Sequence, residues 1–500
     1  MRRNDSRTDV IALALLALAG VLLLANLQNG YLWQDEAETA MLARRVLEFG
    51  YPRGTDGRNA IDIAPFGYGA GQAWVYAPWL PFYLLAGAFA LFGQSTAVAR
   101  LPFALFGWLS IWLAWRLACR LTDDRRIHRL TVALLACSVP FLLHMRQCRY
   151  YAPTTALVLG LCLAYLGYLR RPSRGTALGL GFLVTLLFHT NFGTCLPTAG
   201  ALILHQMRWG TPPSRRRGVA ALALAAALTV PWAVYFYRSA FVGAPTLARI
   251  WQHFQYYVRV TNKYLAPLAA MALLSLGSRL MSRRRWAVPA WQRLPREIQA
   301  LFVALVAAHA LFLLVPDQRH LRYLIPLAPL MALGTAMWAA ALMDRHRLAG
   351  RLVVVLLVLT SVLSSGRPSV PLLEFAGELT HRYTGPMEGV VDYLRRHARP
   401  GEIVKIPYDD RTVMFYTGLT VESPSAFLQE TYPEWIVIRR DWLPGAFFDS
   451  AYFQRIQARY ERIELEAPDV LWQNREDPGS HHFRTVQGAP RVVMYRRLLL

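Results

Sequence analysis

Two adjacent carboxylates, Asp35 and Glu36, follow the first long apolar run of the chain and suggest catalysis. They precede apolar residues at helical spacing between positions 37 and 47. A carboxylate held just outside an apolar span can act as a general base toward an acceptor hydroxyl. Alternatively, Asp35 caps this helix, while Glu36 and Glu38 stabilise its first turn. The two interpretations are compatible, because a helix N-terminus also fixes the carboxylate.

A second pattern, Arg-x-x-Arg-Tyr, occurs twice, at Arg146–Tyr150 and Arg319–Tyr323. This spacing predicts that the two arginines and the tyrosine share one face of a helix. Arginine binds phosphate through two parallel hydrogen bonds, and a helix N-terminus adds positive potential. Anchoring at the membrane border is the alternative, because Arg and Tyr are common there. The predicted phosphate clamp consists of Arg146, Arg149, Tyr150, Arg319, His320, Arg322 and Tyr323.

Other polar residues suggest a substrate loop and argue against two kinds of site. Residues 254–265 combine aromatic rings with charge, and the loop that contains them either closes over a lipid carrier or rests at the interface; the candidates are Tyr257, Arg259 and Lys263. His481 and His482 lack partners at metal spacing. The glycine-rich segment 67–71 lacks the lysine of a nucleotide-binding loop, so no nucleotide-sugar site is predicted.

The composition excludes most soluble proteins and indicates how these residues are positioned. Of 500 residues, 55% are hydrophobic and 17% are charged, and the mean hydropathy is +0.26. The formal net charge of +23 is concentrated in short basic clusters between apolar runs, as at 170–175, 214–218 and 282–286. This distribution is typical of the cytoplasmic loops of a membrane protein and disfavours nucleic-acid binding.

Alternating loop charge predicts about eleven membrane spans, with the acidic pair and both arginine motifs on the outer side. The expected spans are about 9–28, 97–119, 130–145, 152–169, 175–190, 192–207, 219–236, 264–280, 298–316, 321–343 and 351–365. Residues 29–76 form the first outer loop, and residues 77–93 are predicted to lie along the interface, with a full span as the alternative. The transmembrane domain is therefore 1–365, and 366–500 is predicted to be an outer α/β domain.

Several motifs resemble those of the GT-C superfamily, specifically the bacterial membrane glycosyltransferases that are protein O-mannosyltransferase-like (PMT-like) and aminoarabinose-transferase-like. The likeness covers roughly residues 10–345, and its motifs are Asp35-Glu36-Ala37, Tyr76-Ala77-Pro78-Trp79-Leu80, Ala99-Arg100-Leu101-Pro102, Arg146–Tyr150 and Arg322-Tyr323-Leu324-Ile325-Pro326.

The resemblance implies a GT-C-like fold with helices along the membrane in the first outer loop. It also implies a polyprenyl-phosphate sugar donor, an inverting transfer and a first-loop aspartate as base, here Asp35. Related enzymes often carry an acid where Arg149-Tyr150-Tyr151 stands, which puts a second catalytic carboxylate and a metal site in doubt. Asp62 is the substitute candidate.

We therefore predict a glycosyltransferase of the bacterial inner membrane that acts at the periplasmic face. Its acceptor would be a hydroxyl group on a lipid, a glycan or a protein. The catalytic candidates are Asp35 as base and Glu36 in support. No metal site or cofactor is assigned, although a divalent cation is compatible with this chemistry. A transporter or flippase of a lipid-linked sugar is the alternative, because it would need the clamp without the base.

Overall fold

The computed structural model describes residues 9–61, 67–240, 245–281, 290–366, 369–382, 384–422, 424–470 and 488–498. Asp62, His481 and His482 lie outside the described residues.

The first half of the described chain is almost entirely helical. Its helices are α1 (Val10–Leu24), α2 (Gln34–Phe49), α3 (Leu80–Phe92), α4 (Thr96–Leu121), α5 (Arg125–Ala136), α6 (Val139–Arg146), α7 (Tyr151–Arg170), α8 (Arg174–Thr190), α9 (Phe192–Trp209), α10 (Pro212–Ala240) and α11 (Leu247–Tyr264).

The second half adds shorter helices and all the assigned strands. The helices are α12 (Leu268–Met281), α13 (Ala290–Arg293), α14 (Arg296–Phe312), α15 (Ala328–Arg345), α16 (Arg347–Leu359), α17 (Val362–Ser365), α18 (Pro371–Thr380), α19 (Pro386–His397), α20 (Asp410–Thr417), α21 (Gly445–Phe448) and α22 (Ala451–Arg459). The strands are β1 (Ile403–Lys405), β2 (Thr420–Glu422), β3 (Trp435–Ile438), β4 (Tyr460–Pro468) and β5 (Arg491–Arg497).

Every predicted span overlaps one of these helices, and the segment 130–145 is covered by the pair α5 and α6. Among the described residues, four helices are long and apolar enough to cross a membrane: Thr96–Leu121, Tyr151–Arg170, Pro212–Phe236 and Ile325–Arg345. The pair α5 and α6, bent by 65°, adds a fifth if it is one span. This bend falls where Pro140 enters the first turn of α6. The fold class is confirmed, whereas the number of eleven spans stays a prediction.

The predicted interfacial segment 77–93 contains α3, which begins at Leu80 with Pro81 in its first turn. Proline is tolerated there, since the amide of a first-turn residue has no partner within the helix. The helix ends before Gly93, which has a φ of 78°. Its placement along the membrane interface stays a prediction.

The chain divides into two compact units, each built from two separate parts of the sequence. Unit 1 consists of Met1–Ala25 and Phe103–Phe375, and unit 2 of Asn26–Pro102 and Ala376–Leu500. The first outer loop and the C-terminal region thus fold together, which the sequence did not predict. The proposed division of the chain at residue 365 stays a prediction.

Unit 1 is a helical body in which small residues allow close contact between helices. Helix α8 starts with a capping box formed by Ser173 and Thr176 and packs against α10. A Cβ at Gly181 of α8 would lie 2.6 Å from the carbonyl oxygen of Ala221 in α10. A side chain at that position would therefore push the two backbones apart.

Unit 2 contains the expected α/β region, with a five-stranded sheet in the order β2-β1-β3-β5-β4. Strands β2, β1 and β3 are parallel, and β5 runs antiparallel to both β3 and β4. The apolar runs of the sequence at 402–408, 434–440 and 491–497 supply β1, β3 and β5. One apolar cluster includes Ile436, Ile438, Phe447, Ile456 and Tyr495.

Candidate active site

Helix α2 carries the acidic pair near its N-terminus. Its N-cap residue is Trp33, which makes no side-chain capping hydrogen bond, and Asp35 and Glu36 both lie in the first turn. The interpretation of Asp35 as the cap is therefore wrong, because the helix begins at Gln34, before Asp35, and Glu38 lies beyond the first turn. The first-turn position still favours both carboxylates, since backbone N–H groups point toward that end.

Asp35 is partly exposed, and its backbone carbonyl accepts a hydrogen bond from the Thr39 hydroxyl at 3.2 Å. This bond spans one helical turn, so it holds the backbone of Asp35 in the regular helix. The side chain therefore extends from a fixed point, which is what a general base requires.

Glu36 lies beside Asp35 but has a different environment. Its carboxylate is 1% exposed and receives two hydrogen bonds from Arg100, at 3.0 Å from Nε and 2.7 Å from Nη2. The same guanidinium donates to the carbonyl oxygens of Leu27, Asn29, Gly30 and Tyr31. Glu36 thus helps to organise the chain that leads into α2, and this geometry favours a supporting role for it.

Arg100 belongs to one of the motifs that carried the family resemblance, but sequence analysis gave it no function. The signal that points to it is an arginine near the start of an apolar helix. Such a charge is costly there unless it has a partner, and Glu36 is that partner.

Two further side-chain pairs hold α2 on either side of Asp35. The Gln34 amide nitrogen donates to the Asp410 carboxylate at 2.5 Å, and Arg411 pairs with Glu38 at 2.5 Å. Burial raises the pKa of Asp410, although Arg411 and the hydrogen bond from Gln34 oppose that increase.

The first Arg-x-x-Arg-Tyr motif spans a break between two helices. Arg146 is the last residue of α6, and α7 begins at Tyr151. The prediction that the motif lies on one helical face is therefore wrong. Pro153 explains the break, because proline occupies a first helical turn far more readily than a helix interior.

The two arginines of the first motif make different contacts. The Arg146 Nη2 donates to the Ala25 carbonyl at 2.6 Å, and its guanidinium lies 5.5 Å from the Phe375 ring. Arg149 lies 5.6 Å from the Tyr150 ring. Arg146 is buried and Arg149 partly exposed, so Arg149 is the more accessible to a ligand.

The second motif forms a short 3-10 turn over Leu321–Tyr323, not an α-helix. The prediction of one helical face is wrong here too, because Pro326 and Pro329 start the next turns, before and within α15. Arg322 lies 5.7 Å from the Tyr323 ring, and the rings of His320 and Tyr323 are 5.6 Å apart.

The structure brings parts of the two motifs together within unit 1. Desolvation raises the pKa of Tyr150 well above its usual value; Tyr151 and Tyr323 add to this, and Arg322 and Arg149 oppose it. Residues of both motifs therefore act electrostatically on the same phenol. Helix α7 also packs against the 3-10 turn Ile325–Leu327 that follows the second motif.

The predicted substrate loop is a helix, α11, because its apolar residues recur at helical spacing and give the helix one apolar face. Burial raises the pKa of Tyr257, and Tyr323 adds to this effect while Arg319 opposes it. Tyr257 is thus coupled to the second motif, and Arg319 also lies 5.6 Å from the Tyr256 ring. Arg259 is exposed, and Lys263 lies 4.6 Å from the Tyr264 ring.

A metal site was not assigned from the sequence. In the described part of the chain, no three His, Cys, Asp or Glu residues are grouped so as to hold a metal ion. None of the five cysteines forms a disulfide with another described residue.

Part of the chain matches a known protein family. Residues 77–235 match the model of the dolichyl-phosphate-mannose-protein mannosyltransferase family. This segment extends from the region of α3 to α10 and includes the first Arg-x-x-Arg-Tyr motif. No curated protein sequence matches the chain.

Solved structures with a similar fold cover nearly the whole chain. ArnT from Cupriavidus metallidurans in the apo state is 14% identical, with a TM-score of 0.59 over 98% of this chain and 97% of that protein. ArnT from the same organism bound to undecaprenyl phosphate is 13% identical, with a TM-score of 0.58 over 99% of each chain. The Archaeoglobus fulgidus oligosaccharyltransferase, tethered to an acceptor peptide, is 13% identical, with a TM-score of 0.51 over 86% of this chain and 69% of that protein.

These findings favour a membrane glycosyltransferase over the transporter alternative. They combine a family match in sequence with a shared fold along the chain. The resemblance drawn from the short motifs is therefore confirmed: residues 77–235 match the mannosyltransferase family model, and nearly the whole chain shares the fold of ArnT.

Proposed function

We propose that the protein transfers a sugar from a polyprenyl-phosphate donor to a hydroxyl acceptor. Support for the donor class comes from the lipid-phosphate sugar in the matched family's name and from the ArnT structure that holds undecaprenyl phosphate. The observation that carries the proposal is the placement of Asp35. It is a partly exposed carboxylate on the first turn of α2, in a segment whose neighbouring side chains are held by partners.

In the proposed reaction, Asp35 accepts the proton of the acceptor hydroxyl as its oxygen attacks the anomeric carbon. The new glycosidic bond forms as the bond between that carbon and the phosphate oxygen breaks. The bonding electrons leave with the polyprenyl phosphate, which departs as an anion. A single displacement of this kind inverts the configuration of the anomeric carbon.

The phosphate would be bound by the clamp residues of unit 1. Arg149, Arg322 and Tyr323 are partly exposed, and Tyr150 interacts with both arginines. Positive groups fixed where charge develops stabilise a leaving phosphate more than a mobile solvent does. We assign Arg146, which is buried, to support of this site, with Arg319, His320 and Tyr257 flanking it.

We further propose that the reaction takes place at the periplasmic face of a bacterial inner membrane, because the distribution of basic loops in the sequence favours an outer position for the acidic pair. The sugar is a hexose or a pentose, and the acceptor belongs to an envelope lipid, glycan or protein. No step of this mechanism uses a metal ion.

The test compares cells that lack the gene with cells that express the wild type or Asp35→Asn. Mass spectrometry of the envelope glycolipids and glycoproteins should show a sugar-bearing product only with the wild type. Asp441→Asn is the matched control, because Asp441 is an exposed aspartate in another part of the chain. This variant should make the product in the wild-type amount.

Wild-type product from a folded Asp35→Asn variant would refute the base assignment. An envelope that is identical with and without the gene would refute glycosyl transfer itself. A transporter would instead leave Asp35→Asn active while changing where the lipid-linked sugar is found.

A further inference from the structure

One helix of the C-terminal region, α20, holds the segment that carries Asp35. Asp410 binds Gln34, one residue before Asp35, and Arg411 pairs with Glu38, three residues after it. The Arg411 and Glu38 side chains are only 14% and 7% exposed. Partly buried pairs are screened by water much less than surface pairs, so this one fixes geometry more strongly.

The next residues of α20 hold the backbone ahead of α2. The Thr412 hydroxyl donates to the Leu32 carbonyl at 2.9 Å, and the Leu32 amide donates to the Tyr416 hydroxyl at 3.0 Å. Both polar groups of the Leu32 backbone are therefore bound by α20. The point at which the chain enters α2 is fixed as well as its first turn.

The loop before Leu32 is held by a second helix of the same region, α19. The Tyr31 hydroxyl donates to Asp392 at 2.6 Å, and the Tyr31 amide donates to Glu388 at 2.6 Å. Burial and the bond to Asp392 raise the pKa of Tyr31 to about 12. The phenol therefore stays protonated at neutral pH and keeps donating this bond.

The start of α20 is itself fixed from the sheet. Asp409, which precedes the helix, has a φ of 67°, a left-handed conformation that is uncommon for residues other than glycine. Its carboxylate binds Arg439 at 2.5 Å, and Arg439 also binds Asp469 at 2.7 Å. All three side chains are buried. This network sets the direction in which Asp410, Arg411 and Thr412 leave the sheet.

We propose that the C-terminal region positions the base, with Asp410, Arg411 and Thr412 as positioning residues for Asp35. This inference rests on the proposed function of Asp35. A base must come within about 2.6–3.2 Å of the proton that it accepts, and a displacement of about 1 Å can reduce the rate roughly a hundredfold. A contact on each side of Asp35 gives α20 control over that distance.

The experiment uses the full chain in cells that lack the native gene and measures envelope product per molecule of enzyme. Arg411→Ala should reduce the product at least tenfold, roughly as expected for a displaced base. Arg455→Ala is the matched control, because Arg455 also pairs with a glutamate of the same region, Glu430, but at the surface. The control should keep the wild-type amount of product.

Two readouts separate positioning from loss of fold. Purified Arg411→Ala should bind undecaprenyl phosphate within about twofold of the wild-type dissociation constant, since the proposed clamp belongs to unit 1. The reversed pair Glu38→Arg with Arg411→Glu should restore product above the level of Arg411→Ala, because it re-forms the ion pair.

Wild-type product from Arg411→Ala would overturn the inference, as would failure of the reversed pair to restore any product. An equal loss of lipid binding and of product would also overturn it, because that result indicates unfolding. Asp35→Asn is measured alongside. Product from Asp35→Asn would refute the proposed base, whereas an inactive Asp35→Asn with an active Arg411→Ala would refute the positioning role alone.

Discussion

Removal of the Arg100 side chain tests whether Glu36 has a structural role. Arg100→Ala leaves the Glu36 carboxylate, which is 1% exposed, without its main partner and removes six hydrogen bonds from Arg100. Breaking a buried ion pair by removing one partner costs about 3–5 kcal/mol, because the remaining charge is buried and uncompensated. Four of those bonds are to backbone carbonyls, so the upper half of this range is expected.

That free energy converts into a measurable change in melting temperature. For a unit of about 200 residues, 1 kcal/mol corresponds to roughly 2–4 °C, so a loss of about 4–5 kcal/mol should lower the melting temperature by about 8–20 °C. The assay is thermal unfolding of the purified protein in detergent, followed by tryptophan fluorescence. Hydrogen–deuterium exchange of the α2 amides should show that the loss of protection begins in this helix.

Two comparisons make the test specific. Arg462→Ala removes an arginine whose pair with Glu464 is 53% and 42% exposed, and surface pairs of this kind contribute only about 0–1 kcal/mol. The double change Glu36→Leu with Arg100→Met removes both charges and should recover most of the loss. A melting temperature for Arg100→Ala within about 1 °C of the wild type would refute the structural role of this pair.

Three further changes test other parts of the molecule. Arg322→Ala should weaken undecaprenyl phosphate binding about tenfold, as measured by titration of the purified protein. The control Arg208→Ala, which removes an arginine 5.0 Å from the Trp209 ring, should leave this affinity unchanged. Equal affinities of the two variants would count against the clamp. Gly181→Ala should lower the free energy of unfolding by about 1–3 kcal/mol, because its Cβ would meet the α10 backbone. The control Gly179→Ala lies on the same helix, meets nothing within 4 Å and should be neutral or stabilising. Similar melting temperatures for the two variants would contradict the close contact. The raised pKa of Asp410 means that the native state holds this proton more tightly than the unfolded chain. The stability of the wild type should therefore fall as the pH rises from about 4 toward neutrality, and Asp410→Asn should reduce that fall. A pH dependence of the melting temperature that is the same in both proteins would refute this prediction.

The length of the apolar runs and the charge of the loops between them made the membrane helices predictable from the sequence. Each apolar run fixes a helix, because a chain in a bilayer must satisfy its backbone hydrogen bonds within itself. Strand β4 was missed although its pattern is readable, since the buried Leu465 and Ala467 alternate with exposed glutamates. Strand β2 has only three residues, which is too short for any periodic signal.

The local geometry of the site was less predictable. Spacing alone placed each arginine motif on a helical face, but the prolines that follow start new helices and interrupt the spacing. The contacts of α20 with α2 were out of reach for a different reason. Gln34 and Asp410 are 376 residues apart, and nothing in the local sequence of either residue identifies the other.

That separation has a consequence for biogenesis. A ribosome that adds about 5–20 residues per second needs roughly 20–75 s to go from Gln34 to Asp410. During this time the nascent acidic helix has none of its α20 partners, so unit 2 cannot be completed before α20 has been synthesised. Chains that terminate before α20 would leave α2 without these contacts and open to proteolysis, so synthesis through α20 would be a condition for assembling the segment that carries Asp35.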